Sequence, residues 1–215
     1  MEHYVTFIRH GMTDGNQKKR YIGTTDEGLS ARGRDELIRR KEEGLYPVPK
    51  EPWRLFASPM RRCVETASLI YPGKEIILKQ ELRECDFGAF ENKNYMELSG
   101  FAPYEDWIAS NGALPFPGGE SAEGFKQRCC MAARAVFSRI WEDNIPETVF
   151  VVHGGTIMSV MEHFSTVKKG YYEWSLANGS LYRARLNRSV SCGMPPADGR
   201  EERILEPVVL GKEKV

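Results

Sequence analysis

The alternation of short strand-like runs with longer helical patterns constrains this chain more than any other feature. YVTFI (residues 4–8), RLFA (54–57), EIIL (75–78) and TVFVV (148–152) are apolar runs of strand length, rich in β-branched and aromatic residues. Between them lie stretches whose apolar residues repeat at helical spacing. One helix is expected over Ala31–Glu43, closed by Gly44. A second starts at Pro59, with Ser58 as its cap. The longest runs from Ser121 to Asp143, where Phe125, Cys129, Ala132, Val136, Phe137, Ile140 and Trp141 recur behind a serine suited to capping. Strands this apolar need cover on both faces, so the expected fold is α/β with a largely parallel sheet. Near the C-terminus, Cys192–Gly199 reads as a Pro/Gly-rich loop. LEPVVL (205–210) reads as an edge strand, because Pro207 cannot donate to a central ladder.

A chain of 215 residues, 41% of them hydrophobic, can bury one sizeable core. Thirty basic side chains balance thirty acidic ones, which removes the electrostatic footprint of a general nucleic-acid binder or a basic membrane-surface protein. A small-molecule partner is expected. The N-terminus, MEHYVTFIRH, has no basic segment followed by an apolar signal core, and no stretch approaches ~18 uninterrupted apolar residues. The expectation is a soluble cytoplasmic protein that engages neither nucleic acid nor membrane; the sequence sets no oligomeric state. The five cysteines show no CxxC pairing and read as reduced, mostly buried thiols rather than a zinc site.

In parallel sheets ligands sit beyond the carboxyl ends of the strands, where loops enter helices whose N-termini favour anions. This chain places a histidine there twice. YVTFI is followed by Arg9-His10-Gly11, and TVFVV by His153-Gly154-Gly155. One such histidine is ordinarily structural; two at equivalent strand ends point to a site. In SPMRRCVETA (58–67), Arg62 falls in the first helical turn, away from the stripe of Met60, Cys63, Val64 and Ala67. Taken alone it reads equally as a solvated surface arginine or as a bidentate phosphate ligand.

Together these pieces resemble the histidine phosphatase (phosphoglycerate-mutase-like) superfamily. RHGMTDGN matches the family's RHGxTxxN at Arg9, His10, Gly11, Thr13 and Asn16. YIGTTDEGLSARG, with Gly23, matches the segment that follows. SPMRRCVETA carries the second arginine at Arg62, ELRECDFGAFE the acid loop with Glu84, and VVHGGTI the second histidine, His153, with Gly154. The resemblance implies one histidine phosphatase domain over 1–215, a three-layer α/β/α fold with a mainly parallel central sheet, helices on both faces, and a small helical cap inserted after the acid loop. Residues 85–120 would form that substrate-specificity cap. It further implies His10 as a neutral imidazole that attacks phosphorus and becomes phosphohistidine. Arg9, Arg62 and His153 would hold the phosphoryl oxygens, aided by Asn16 and the Gly11, Thr13, Gly23 and Gly154 region. Glu84 would protonate the leaving alkoxide, which calls for a raised pKa. No metal or cofactor is required.

Some positions depart from the family pattern. Pro59 and Cys63 stand where Asp and Ala are common, Phe90 replaces a frequent Trp, Asn92-Lys93 replaces a usual Gly, and Met158 an arginine. The segment 85–120 carries seven aromatics, six acids and the single base Lys93. Such a cap suits a small monophosphate rather than a polyanion, and at least half of the aromatics are expected to form its own core. FPGGES (116–121) with LRECDFGAFE is most like the α-ribazole phosphatase branch. The expected activity is therefore a phosphomonoester hydrolase acting on α-ribazole 5′-phosphate or a sugar phosphate. A phosphoglycerate mutase and a catalytically inactive phospho-ligand binding module are the alternatives.

Overall fold

The computed structural model describes residues 1–187 and 203–208. In chain order its elements are β1 (Tyr4–Arg9), α1 (Asp14–Gln17), α2 (Ala31–Glu42), β2 (Trp53–Ala57), α3 (Arg61–Ile70), β3 (Ile76–Leu78), α4 (Tyr95–Leu98), α5 (Ala102–Ala109), α6 (Ala122–Glu142), β4 (Glu147–Val152), α7 (Gly154–Phe164), β5 (Leu181–Leu186) and β6 (Leu205–Val208). The sheet order is β3-β2-β4-β1-β5-β6. The four strands expected from the apolar runs are mutually parallel neighbours, and β5 and β6 add an antiparallel edge. β5, LYRARL, escaped the sequence reading because two arginines interrupt its apolar pattern. Both are ion-paired, Arg183 with Glu147 at 2.6 Å and Arg185 with Glu206. β6 is the expected edge strand, with Pro207 opposite Ala184; the Cys192–Gly199 loop lies outside the described residues.

Alternate residues of the central strands supply two cores, which is why these runs are apolar without interruption. Val5, Phe7, Phe150 and Val152 pack with Phe137 and Ile140 of α6 and Val160 and Phe164 of α7. Ile8, Leu55, Val149 and Val151 pack on the other side with Leu37 of α2 and Cys63, Ala67 and Ile70 of α3. The result is the three-layer arrangement with helices on both faces. Phe150 stacks against Phe7 at 4.9 Å and Phe56 at 5.4 Å between ring centroids. Each large apolar side chain so buried stabilises the fold by ~1.5–3 kcal/mol.

Local chemistry sets most helix ends. Ser121 Oγ accepts from Gly124 N at the start of α6, and Gly44, at φ +72°, follows the end of α2. α3 differs from expectation. It begins at Arg61 rather than Pro59, its N-cap Met60 makes no side-chain bond, and Asp26 Oδ1 accepts from Arg61 N at 2.7 Å instead. Ser58 is thereby released from capping.

The register places Arg9 opposite Val152 and Ala57 opposite Val151. His10, Ser58 and His153, the next residues along each strand, therefore emerge on one edge, where parallel sheets hold ligands. Above that edge, residues 85–120 form the helical cap of α4 and α5. Its core joins Phe90, Leu98, Tyr104 and Phe116 to Phe125 and Cys129 of α6. Phe87 and Trp107 pack against this core, whereas Tyr95 and Phe101 are exposed, so most of the seven aromatics serve the cap itself. Asn92 adopts φ +55°, a left-handed conformation that Asn tolerates, and so stands in for the usual glycine. Among the described residues no helix is long and apolar enough to cross a membrane.

Candidate active site

His10 leaves β1 with its backbone tied to β4, His10 N donating to Val152 O at 2.9 Å. Its Nδ1 lies 2.7 Å from Gly11 O. A carbonyl can only accept, so Nδ1 carries the proton and Nε2 of the neutral ring keeps its lone pair. Burial, then the Arg62 and Arg9 charges, hold the imidazole well below its ordinary pKa. Gly11 does not serve the purpose expected of it. A Cβ there would lie 2.6 Å from Leu37 Cδ1, so its bareness admits α2 rather than a ligand. Its N–H is spent on Thr66 Oγ1 at 2.9 Å.

Arg62 is not a surface residue; it is fully buried. The loop 22–25 collects its guanidinium, with Nη2 donating to Ile22 O and Gly23 O at 3.3 and 3.0 Å and Nη1 to Thr25 O at 2.9 Å. Nε donates to His153 Nδ1 at 3.3 Å. His153 must therefore carry its proton on Nε2, which lies 2.7 Å from Ser58 Oγ. Ser58 is thus a partner of the second histidine rather than a helix cap. The two imidazoles stand edge to face, 5.2 Å apart, and burial followed by Arg62 and His10 holds His153 well below its usual pKa.

Arg9 and Glu84 complete the cluster. Arg9 Nη1 donates to Leu176 O, while Arg9 Nε is buried without a partner. The guanidinium lies over Gly154, where a Cβ would come within 3.3 Å of Cζ and Nε. Glu84 is partly exposed; its Oε1 accepts from Cys85 N at 3.0 Å and Oε2 from Gly155 N at 3.2 Å. Burial raises its pKa in spite of those two N–H groups and of Arg62 and Arg9. Gly155 was not singled out in the sequence. A Cβ at that position would meet Glu84 Oε1 at 2.4 Å, so the second glycine of HGG is what seats the carboxyl on the start of α7.

Asn16 borders the cluster, its Oδ1 accepting from Asn178 Nδ2 at 3.1 Å; the same Nδ2 donates to His10 O at 3.1 Å. No local signal marks Asn178, which arrives from a loop 168 residues beyond His10. Thr13 and the Gly23 N–H are engaged elsewhere, and Gly23 reaches the cluster only through the carbonyl that accepts from Arg62. Thr13 caps α1 through a reciprocal box with Asn16. Gly23 N–H is held by Glu91, whose carboxylate also accepts from Thr24 N and Thr25 Oγ1, each at 2.8 Å. Glu91 thereby fixes the loop whose carbonyls aim Arg62. Among the described residues no group of three or more His, Cys, Asp or Glu side chains could hold a metal ion.

The two buried neutral histidines make stability depend on pH. With folded pKa values depressed below the ordinary 6.5, their contribution is complete above that pH and is lost as pH falls, because the unfolded chain takes up protons that the folded one refuses. Between pH 7.5 and 5 the free energy of unfolding is expected to drop by up to ~2 kcal/mol per histidine. Urea unfolding across this range checks it. His153→Asn should flatten the slope by about half of the two-histidine share, and an unchanged slope would contradict the assignment.

Comparison with known proteins agrees with this geometry. Residues 5–190 match the profile of the histidine phosphatase superfamily (branch 1). Phosphoglycerate mutase-like protein 4 of Arabidopsis thaliana is 30% identical over 164 residues, covering 74% of this chain and 69% of the relative. Among solved structures, the α-ribazole phosphatase of Shigella flexneri superposes with a TM-score of 0.71 at 22% identity, covering 86% of this chain and 91% of its own. A phosphoglycerate mutase from Thermus thermophilus superposes at 0.60 with 25% identity, covering 96% and 99%. The profile spans both histidine motifs, Arg62 and the Glu84 loop, and the chain belongs to the histidine phosphatase superfamily.

Proposed function

We propose that this protein is a metal-independent phosphomonoester hydrolase that works through a phosphohistidine on His10. The observation that carries the reading is the Nδ1–H bond from His10 to Gly11 O, which leaves a neutral Nε2 lone pair beside His153, Arg9 and Arg62. Nε2 attacks phosphorus in line; the N–P bond forms as the P–O bond to the leaving group breaks. Glu84, whose burial shifts its pKa upward toward the protonated form, gives its proton to the departing oxygen. Water then attacks the phosphohistidine, Glu84 carboxylate takes its proton, and the N–P bond breaks to release phosphate. Charge on the three equatorial oxygens is met by Arg9 Nε, the remaining Arg62 Nη1 N–H, the Asn16 amide and the α7 start at Gly154, while His153, its Nε2–H donated to Ser58 Oγ, stands edge-on to His10.

The leaving group is read as a sugar or nucleoside-like alcohol, as in α-ribazole 5′-phosphate, rather than a second anion. Three of the six cap acids are engaged with groups of the protein outside the cap. Glu91 holds residues 23–25, Glu97 pairs with Arg20 at 2.6 Å, and Glu120 with Arg128 at 2.7 Å. The cap's lone base, Lys93, lies over the Phe101 ring. Phosphate release should be profiled across α-ribazole 5′-phosphate, sugar phosphates, nucleotides and 3-phosphoglycerate, with 2- to 3-phosphoglycerate interconversion followed in parallel. Preference for the uncharged alcohols is expected. Interconversion outpacing release would make the protein a mutase, and no turnover of any ester would make it a binding module.

A further inference from the structure

We propose that Arg128 is the positioning residue of the proton donor, acting on the backbone of the loop that carries Glu84. Residues 83–87 belong to no helix or strand, so their peptide groups need other partners. Arg128 reaches them from α6. Nη1 donates to Glu81 O at 2.8 Å and Arg83 O at 3.1 Å, and Nη2 to Glu84 O itself at 3.4 Å. The other side of the fork pairs with Glu120, Nε to Oε1 at 2.9 Å and Nη2 to Oε2 at 2.7 Å. Glu120 in turn grips the far side of the loop. Its Oε2 accepts from Asp86 N at 3.0 Å and its own N–H donates to Asp86 O at 2.9 Å.

Glu84 is therefore held at three points. Cys85 N and Gly155 N fix its carboxyl, Arg128 fixes the carbonyls at and before it, and Glu120 fixes the residue two beyond. The Arg128 guanidinium also lies 5.3 Å from the Phe125 ring, which walls the seat at Gly155. One planar fork serves three carbonyls and a carboxylate, a geometry that lysine cannot reproduce. Proton transfer needs close alignment with the leaving oxygen, so a loosened loop weakens the acid without touching the phosphate clamp.

This inference rests on the reading of Glu84 as general acid, and leaving-group dependence tests it. A p-nitrophenolate departs with little help from a proton, whereas an alkoxide needs one. For Arg128→Lys and Arg128→Met, kcat/KM, which ends at the phosphoenzyme and omits the dephosphorylation common to both esters, is expected to fall by about 10-fold or more on glycerol 2-phosphate and to stay within about 3-fold on p-nitrophenyl phosphate. Glu120→Gln, which keeps the side-chain volume, should show the same bias at smaller size, and Glu84→Gln sets its upper limit. Equal losses on the two esters in folded variants, or an unchanged rate on glycerol 2-phosphate, overturn the assignment while leaving the hydrolase reading intact. A wild-type protein that hydrolyses neither ester removes that reading and this inference with it.

Discussion

Replacing His10 with alanine is expected to abolish the covalent phosphoenzyme and lower kcat on p-nitrophenyl phosphate by on the order of 10³-fold or more. Removal of an attacking group does not weaken one interaction among several; it removes the pathway that splits the displacement in two. The environment of His10 supports the proposed role. Burial and two flanking guanidinium groups keep it neutral, and Gly11 O fixes which nitrogen is bare. Quenching with radiolabelled substrate should trap an acid-labile, base-stable phosphoryl group on the wild-type chain and none on the variant. Phosphate binding should survive, because Arg9 and Arg62 are untouched. A variant that turns over at the wild-type rate would falsify the covalent mechanism.

Arg62→Lys carries the second large effect, because this one side chain serves both the fold and the site. Its guanidinium supplies donors to the carbonyls of Ile22, Gly23 and Thr25 and to His153. An ammonium has three donors at one point and cannot span them. Buried carbonyls are then left unpaired, and a loss of ~2–4 kcal/mol in stability is expected by urea unfolding. Loss of the Nε donor also frees His153 to change tautomer, so the ring that stands edge-on to His10 is loosened along with the phosphate clamp. kcat/KM should fall by about 10²–10³-fold, and vanadate or phosphate should inhibit far more weakly. Wild-type inhibition by vanadate in this variant would mean that Arg62 is structural only.

The pH dependence of turnover separates the groups further. His10 stays neutral well into the acid range because its pKa is depressed, so acid should not silence the nucleophile early. In the proposed mechanism Glu84 works in its protonated form, and its raised pKa extends that form upward. Activity on alkyl phosphates therefore declines as pH rises through the folded pKa of Glu84.

Much of this architecture was legible locally. Apolar runs buried on both faces announce parallel strands, and Ser121 followed by a 3.6-residue stripe announces α6, because both are periodicities of the chain itself. The two strand–His–Gly junctions placed His10 and His153 on one edge, since parallel strands in matched register end level. Other features had no local signal. β5 was hidden by arginines whose partners, Glu147 and Glu206, lie on neighbouring strands. Ser58 looked like a cap until Asp26 took that duty from another loop.

What the sequence by itself determined is the fold class, the superfamily and the motif residues that gather at the sheet edge, because strand and helix periods and ordered motifs are properties of neighbours along the chain. Tertiary structure alone decided how those groups are held. Arg62 is buried because a loop some 40 residues earlier offers carbonyls to it. Gly11 is bare for Leu37, Asn178 braces His10 from the far end of the chain, and Arg128 and Glu120 grip the Glu84 loop. The physical reason is the same each time. Loop peptides without a ladder must find hydrogen-bond partners, and those partners come from wherever packing brings a side chain within reach.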